Sequence, residues 1–245
     1  MVQEFLESME RYLSIPKLKN PSNMSIATLS LKNFLIPIPD SNSILFPDIT
    51  LTSGDLLLIK WPSGVGKTTF LHMMWWLLPF WEGECLYQID SEKKSLYEVD
   101  FFLWRRDHMG ISFSNPLFFE SLSLRDNILF PTFVWGRHYD NDWLDMLLDV
   151  FQMRAFLMKK IETLSSGQRE RAELIRVLLY KPKFLFLDEA ASHLDPVILS
   201  DFLKLLQMYR QTIDPIILIV THTDYFDHFS THGIRIEHNH TEFFS

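Results

Sequence analysis

Three apolar runs stand out along the chain, and each ends abruptly in residues that carry chemistry. Leu56-Leu57-Leu58-Ile59 leads into Trp61-Pro62-Ser63-Gly64-Val65-Gly66-Lys67-Thr68-Thr69. Phe184-Leu185-Phe186-Leu187 ends in Asp188-Glu189, and Ile216-Ile217-Leu218-Ile219-Val220 ends in Thr221-His222. Continuous runs of this length suit parallel strands buried on both faces. Between the second and third, Val197, Leu199, Phe202, Leu203, Leu205 and Leu206 predict a helix over 196–210. After the first, residues 70–78 predict another. Residues 26–60 read as β, with Ala27, Leu29 and Leu31 alternating and Pro37, Pro39 and Ser53-Gly54-Asp55 as turns. Residues 85–103 suggest one or two further short strands, with Tyr87, Ile89, Leu96, Tyr97 and Val99.

Residues 115–163 differ in kind. Trp143, Met146, Leu147, Val150 and Phe151 fall at helical spacing within Asp142–Leu157, which predicts a mostly helical insertion. At the start, Phe5, Met9 and Leu13 share one helical face, and residues 16–25 have the composition of a linker. The expected organisation is a helix and linker over 1–25 and one domain over 26–245, its helical part at about 115–170.

The stretch after the first strand has the order strand, glycine-containing turn, helix. That is the context of a phosphate-binding loop. Gly64 and Gly66 let the backbone turn tightly and aim N–H groups inward, where the N-terminal end of the next helix adds its positive potential. Lys67 can reach the outer phosphates and the Thr68 hydroxyl can ligate Mg²⁺. Ser63, Val65 and Thr69 complete the cradle. The usual pattern is G-x-x-x-x-G-K-[ST]; here Trp61 stands at the first glycine. At the end of the second strand, Asp188 fits a carboxylate that holds the Mg²⁺ shell, and Glu189 one that polarises water.

Charge and composition narrow the partners. The 245 residues carry a formal net charge of −8, which argues against nucleic acid. Aromatics reach 14%, enough for an apolar docking surface besides the core. A single cysteine, Cys85, excludes an internal disulfide framework and fits a reducing compartment. The longest apolar run, Phe70–Trp81, is broken by His72 and Pro79 and falls short of the ~20 residues a membrane span needs. The expectation is a protein that is soluble, or peripheral through a partner.

Leu164-Ser165-Ser166-Gly167-Gln168-Arg169 opens a helix through Glu170, Ala172, Ile175 and Leu179. This stretch resembles the LSGGQ signature of ATP-binding-cassette (ABC) ATPases. Phe-Leu-Phe-Leu-Asp-Glu-Ala, Ser192-His193-Leu194-Asp195 and Thr221-His222 follow in the order that family shows. The resemblance covers roughly residues 26–225. It implies an α/β fold of the phosphate-loop class, with a RecA-like, mostly parallel sheet, an antiparallel β subdomain and an inserted helical subdomain. It also implies ATP and Mg²⁺ as cofactors and a dimer of ATPase domains, homo- or heteromeric, on the cytoplasmic face of a membrane beneath a transmembrane partner. Ser165, Gly167 and Gln168 would meet the nucleotide of a second copy, Asp195 would communicate across that dimer, and His222 would contact the γ-phosphate. The wording around Trp-Pro-Ser-Gly and Ile-Leu-Phe-Pro is most similar to the half-transporters for peroxisomal acyl-CoA and bacterial peptides or vitamins.

The chain departs from the family at four places. Trp61 is bulky enough to crowd the nucleotide pocket. Ser114 sits where the family has a Mg²⁺-contacting glutamine, Ser166 replaces a signature glycine, and the adenine-stacking aromatic is missing: Phe34 is available, but Ile38 aligns best. Two readings follow. One is an ATPase that powers transport, with Glu189, His222 and Lys67 catalytic. The other is a nucleotide-binding subunit that hydrolyses little and gates or scaffolds a membrane partner. A soluble ABC ATPase of translation or DNA repair is a third, disfavoured by the acidic charge. The resemblance further implies that Phe118, Phe119, Phe130, Phe133 and Trp135 are partly exposed, as the docking groove for the partner.

Overall fold

A computed structural model describes residues 25–37, 43–62, 66–75, 77–78, 82–95, 98, 101–237 and 240–244. The expected N-terminal helix and linker fall outside these residues, as do Ile38, Leu96, Tyr97 and Val99. The described chain runs β1 (Ala27–Lys32), β2 (Leu35–Ile36), β3 (Ile44–Leu45), β4 (Ile49–Thr52), β5 (Leu56–Lys60), α1 (Lys67–Met74), β6 (Glu84–Ile89), β7 (Glu92–Ser95), α2 (Phe101–His108) and β8 (Met109–Ser112). It continues α3 (Leu124–Trp135), α4 (Asn141–Val150), α5 (Ser166–Leu178), β9 (Phe184–Asp188), α6 (Pro196–Ile213), β10 (Ile216–Thr221), β11 (His232–Glu237) and β12 (His240–Phe244).

The three apolar runs become β5, β9 and β10 of one sheet, ordered β12-β11-β5-β10-β9-β8. All pairs in it are parallel except β11 with the edge strand β12. Successive side chains of a strand point to opposite faces, and both faces are covered here. Leu56, Leu58, Leu185, Leu187, Ile217 and Ile219 enter the core beneath the helices. Leu57, Ile59, Phe184, Phe186, Ile216 and Leu218 enter a second core. That second core is closed by an antiparallel sheet, β4-β1-β6-β7. In β1, Ala27, Leu29 and Leu31 face inward and their neighbours outward, as the alternation predicts.

The helical insertion contains α3 and α4, with α5 behind them; α3 packs on α5, and α4 on α5 and α6. Ser123 and Asp140 cap α3 and α4 by accepting backbone N–H groups of the first turn. The helical spacing over Asp142–Leu157 resolves into α4 and a separate 3₁₀ turn, Arg154–Phe156. The β reading of 85–103 is corrected at its end, since residues 101–103 open α2. The reason is packing: Phe101 and Trp104, one turn apart, stack on each other and press their rings on Tyr87, with Trp104 also against Phe184. Cys85 is a buried member of the second core, and burial pushes its thiol far above the usual range. No helix among the described residues is long and apolar enough to cross a membrane.

Candidate active site

Three neighbouring strands deliver the site. β10 lies between β5 and β9, and its register sets Thr221 beside Lys60 and Val220 beside Asp188. The ends of the apolar runs therefore come level at the C-terminal edge of the sheet, where an open parallel sheet keeps its ligand site. The Glu189 N–H donates to Val220 O at 2.9 Å, and the Trp61 N–H to Thr221 O at 3.4 Å. Gly66 takes φ +93° as it enters α1, a conformation that costs glycine little. Lys67 is then the first residue of the helix, with Thr68 and Thr69 in its first turn. Ser63, Gly64 and Val65 lie outside the described residues.

Glu189 is the hub. It follows β9 with φ +51°, a left-handed backbone that few side chains adopt. Its carboxylate is ion-paired with Lys67. It accepts the Thr221 hydroxyl at 3.1 Å and meets His222 Nδ1 at 3.0 Å. Burial pushes this carboxyl up, but Lys67 and His222 more than offset that and hold it below the usual range. Glu189 is thus ionised at neutral pH and aimed by three side chains. Asp188 behaves in the opposite way: burial raises its carboxyl above the usual range, although the Ser114 hydroxyl and Lys67 pull it down.

Lys67, Thr68, Ser114, Asp188, Glu189 and His222 line one cavity of about 380 Å³. The sequence-derived catalytic and metal-ligating residues are thereby brought together. Ser165, Gly167, Gln168 and Asp195 are not in it. Ser165 and Gln168 form a capping box at the start of α5: the Gln168 N–H donates to Ser165 Oγ at 3.3 Å and the Ser165 N–H to Gln168 Oε1 at 2.9 Å. Asp195 caps α6 by accepting the Val197 and Ile198 N–H groups. Both caps are on the surface, and Gly167 faces the His193 carbonyl beside the cavity.

Two of the four departures are reinterpreted by packing. Trp61 does not crowd the cavity: its indole is 1% exposed and packs on Phe70 at 5.6 Å, inside the second core. Phe34 is equally buried, edge-on to Phe70 at 5.9 Å, and so presents no face to an adenine. Thr221, which the sequence placed at a strand end without a role of its own, donates its hydroxyl to Glu189. Its only signal is its place at the end of an apolar run. A charge-assisted hydrogen bond of this kind is worth about 1.5–3 kcal/mol. Thr221→Val is therefore expected to lower turnover about tenfold while leaving nucleotide affinity unchanged. Steady-state kinetics beside equilibrium nucleotide binding checks this.

On the far side of α5 lies a second cavity, an apolar groove of about 300 Å³ that includes Phe119, Phe130, Trp135, Arg137 and Arg176. Of the five rings expected to be partly exposed, Phe119, Phe133 and Trp135 are exposed, Phe133 by 64%; Phe118 and Phe130 are half-buried.

Comparison with known proteins agrees with this geometry. The sequence pattern of the ABC transporter family matches residues 47–192, more than half of the chain. The chain belongs to the ABC transporter family. Members of that family are phosphate-loop ATPases. Among curated relatives of this ABC domain, the probable ribonucleotide transport ATP-binding protein mkl of Mycobacterium leprae is 31% identical over 190 residues, 74% of this chain and 53% of that one. The lipoprotein-releasing system ATP-binding protein LolD of Leptospira interrogans is 29% identical, over 74% of this chain and 77% of its own. The ABC domain thus spans about half the length of the Mycobacterium relative. In fold it is similar to CbiO1 of Clostridium perfringens, part of the ABC transporter complex CbiONQ, with TM-score 0.69 and 23% identity, covering 87% of this chain and 86% of that one.

Proposed function

We propose that this ABC domain, residues 26–245, binds MgATP in the cavity at the strand ends, hydrolyses it, and so powers transport by a membrane-spanning partner. The observation that carries the reading is the convergence of Lys67, Thr221 and His222 on the Glu189 carboxylate, beside Asp188 and Ser114.

Thr68, Asp188 and Ser114 offer hard oxygen donors to the one cavity, which suits Mg²⁺. No group of three or more His, Cys, Asp or Glu that could hold a metal ion occurs among the described residues. Mg²⁺ is commonly held by one or two protein carboxylates and otherwise by water and substrate phosphates. When bound, Mg²⁺ would neutralise charge on the phosphates. The protein's own groups do the rest. Lys67 binds the outer phosphates, and the N-terminal end of α1 at Gly66 and Lys67 offers its free N–H groups to them. Glu189 orients the attacking water and holds its proton as it leaves. Thr221 fixes the rotamer of Glu189, and His222 faces the γ-phosphate.

The exposed caps of α5 and α6 are suited to a dimer in which Ser165, Gly167 and Gln168 of one copy close over the nucleotide of the other, with Asp195 at the seam. The groove beyond α5 is suited to a helix of the transmembrane partner, with the ABC domain on the cytoplasmic face. Relatives named as ATP-binding proteins of transport systems support this arrangement.

Phosphate release from MgATP by the wild-type chain tests the reading, with Lys67→Ala as control. Lys67→Ala is expected to weaken MgATP binding at least a hundredfold, since it removes the one lysine that lines the cavity among the described residues. Equal affinity in titration calorimetry would remove the phosphate-loop assignment.

A further inference from the structure

Lys60 is a charge at the end of an apolar run. β5 places Leu56 and Leu58 in the core beneath the helices, and Lys60 is the next residue on that face. Its side chain is 11% exposed. An ammonium group so far from water is costly unless it is paired. The partners come from one short segment that follows β10. Lys60 Nζ donates to the Thr223 carbonyl and ion-pairs with Asp224 at 2.7 Å and with Asp227 at 2.7 Å. Arg235, level with Lys60 on β11, is engaged elsewhere: it lies 5.6 Å from the Phe244 ring centre and 4.0 Å from Glu237 and Glu242.

The same segment adjoins the residues that hold Glu189. The Thr221 hydroxyl meets Glu189 Oε2 at 3.1 Å, the Thr223 hydroxyl at 3.1 Å and the Thr223 N–H at 3.1 Å. A hydroxyl has one proton and two acceptor lone pairs. The Thr223 N–H only donates, and an ionised carboxylate only accepts. The Thr221 proton is therefore committed to Glu189, and the Thr223 hydroxyl donates to Thr221. Lys60 with Thr223, Thr223 with Thr221, and Thr221 with Glu189 form one continuous set of contacts from the end of β5 to the carboxylate. Networks of this kind are worth more than their separate bonds.

The loop that carries Thr223 is otherwise open. His222, Asp224 and Tyr225 are exposed, and Phe226 is the next core residue, edge-on to Phe202 at 6.4 Å. Between the strand end and Phe226, Glu189 holds the loop at His222, and Lys60 holds it at Thr223 and Asp224. Lys60 is not among the residues that line the catalytic cavity. It lines a smaller pocket of about 230 Å³ that shares His222 with it.

We propose that Lys60 is a positioning residue for ATP hydrolysis: by holding Thr223 and Asp224 it keeps the loop after β10 in the arrangement that points the Thr221 proton at Glu189. The inference rests on the reading of the cavity as the site of MgATP hydrolysis. Because Lys60 stands outside that cavity, its loss acts on turnover and not on nucleotide binding.

The test is initial rates of MgATP hydrolysis beside equilibrium binding of mant-ATP with Mg²⁺, both well below the unfolding midpoint. Wild type comes first; no hydrolysis there overturns the reading of the site and the proposal with it. Lys60→Met keeps most of the length of the side chain and removes its charge and its donors. It is expected to lower kcat about tenfold, with KM and mant-ATP affinity within about twofold of wild type. Lys60→Arg keeps charge and donors and is expected to bring kcat back to within about threefold of wild type. Lys60→Met added to Thr221→Val is expected to cost no more than about threefold beyond Thr221→Val alone, because both act through one contact. An unchanged kcat in Lys60→Met, equal losses of binding and turnover, no recovery in Lys60→Arg, or multiplied losses in the double variant each overturns the proposal, while an active wild type leaves the site standing. Should Lys60→Met fail to fold by circular dichroism, Thr223→Val removes the hydroxyl and keeps the shape. It is expected to lower kcat several-fold at constant affinity, and an unchanged kcat overturns the proposal equally.

Discussion

Glu189→Gln is expected to slow ATP hydrolysis about a hundred- to ten-thousand-fold and to leave MgATP bound. Glutamine keeps the shape of the side chain and can still meet Thr221 and His222. It loses the negative charge that orients water and takes its proton. With turnover blocked, the closed dimer is expected to accumulate, since Ser165 and Gly167 of each copy stay over the other's nucleotide. Light scattering with and without MgATP follows that mass. The same variant divides the two readings of the sequence. A wild type that hydrolyses no faster than Glu189→Gln, yet dimerises on ATP, is a gating subunit and not an ATPase.

Trp61→Gly is expected to lower stability by about 3–5 kcal/mol, the range for removing a large aromatic from a core. By sequence alone, in a chain that proved to be the weakly hydrolysing subunit, the same change made together with Ser114→Gln restores two family positions and should raise activity. The structure reverses that expectation for Trp61. The indole fills the second core against Phe70, which itself stacks on Phe46 at 4.9 Å. Glycine would empty that volume and also free the unfolded chain. Thermal unfolding of the variant, followed by circular dichroism, should show a midpoint lowered by about 6–20 °C for a domain of this size. An unchanged midpoint would mean that Trp61 packs elsewhere. Ser114→Gln is a separate case, because Ser114 is exposed at the cavity beside Asp188.

These two positions mark where the sequence stops being readable. The sheet was legible because a strand covered on both faces must be apolar at every position, and β5, β9 and β10 are. The site was legible because Asp188, Glu189, Thr221 and His222 follow directly on those runs. Whether an isolated aromatic faces a ligand or the core was not legible. Phe34 and Trp61 both turn inward, and only the antiparallel sheet closing over them decides it. Lys60 was hidden for a related reason. A lysine that closes an apolar run reads as a solvated strand end until the loop after β10 is seen folded over it. The helix at 101–108 was missed because Phe101 and Trp104 suit a strand equally well, and their ring contacts form only once β6 and β9 are in place.

On the MgATP reading proposed above, the contact between Lys67 and Glu189 would set an order of events. The ammonium group cannot neutralise the base and grip the outer phosphates in the same geometry. While the two side chains hold each other, the base is masked and solvent water meets no activated carboxylate. Arrival of the nucleotide offers Lys67 a more highly charged ligand and lets Glu189 go, still tethered by Thr221 and His222. On that reading, substrate capture and unmasking of the base would be one exchange of partners.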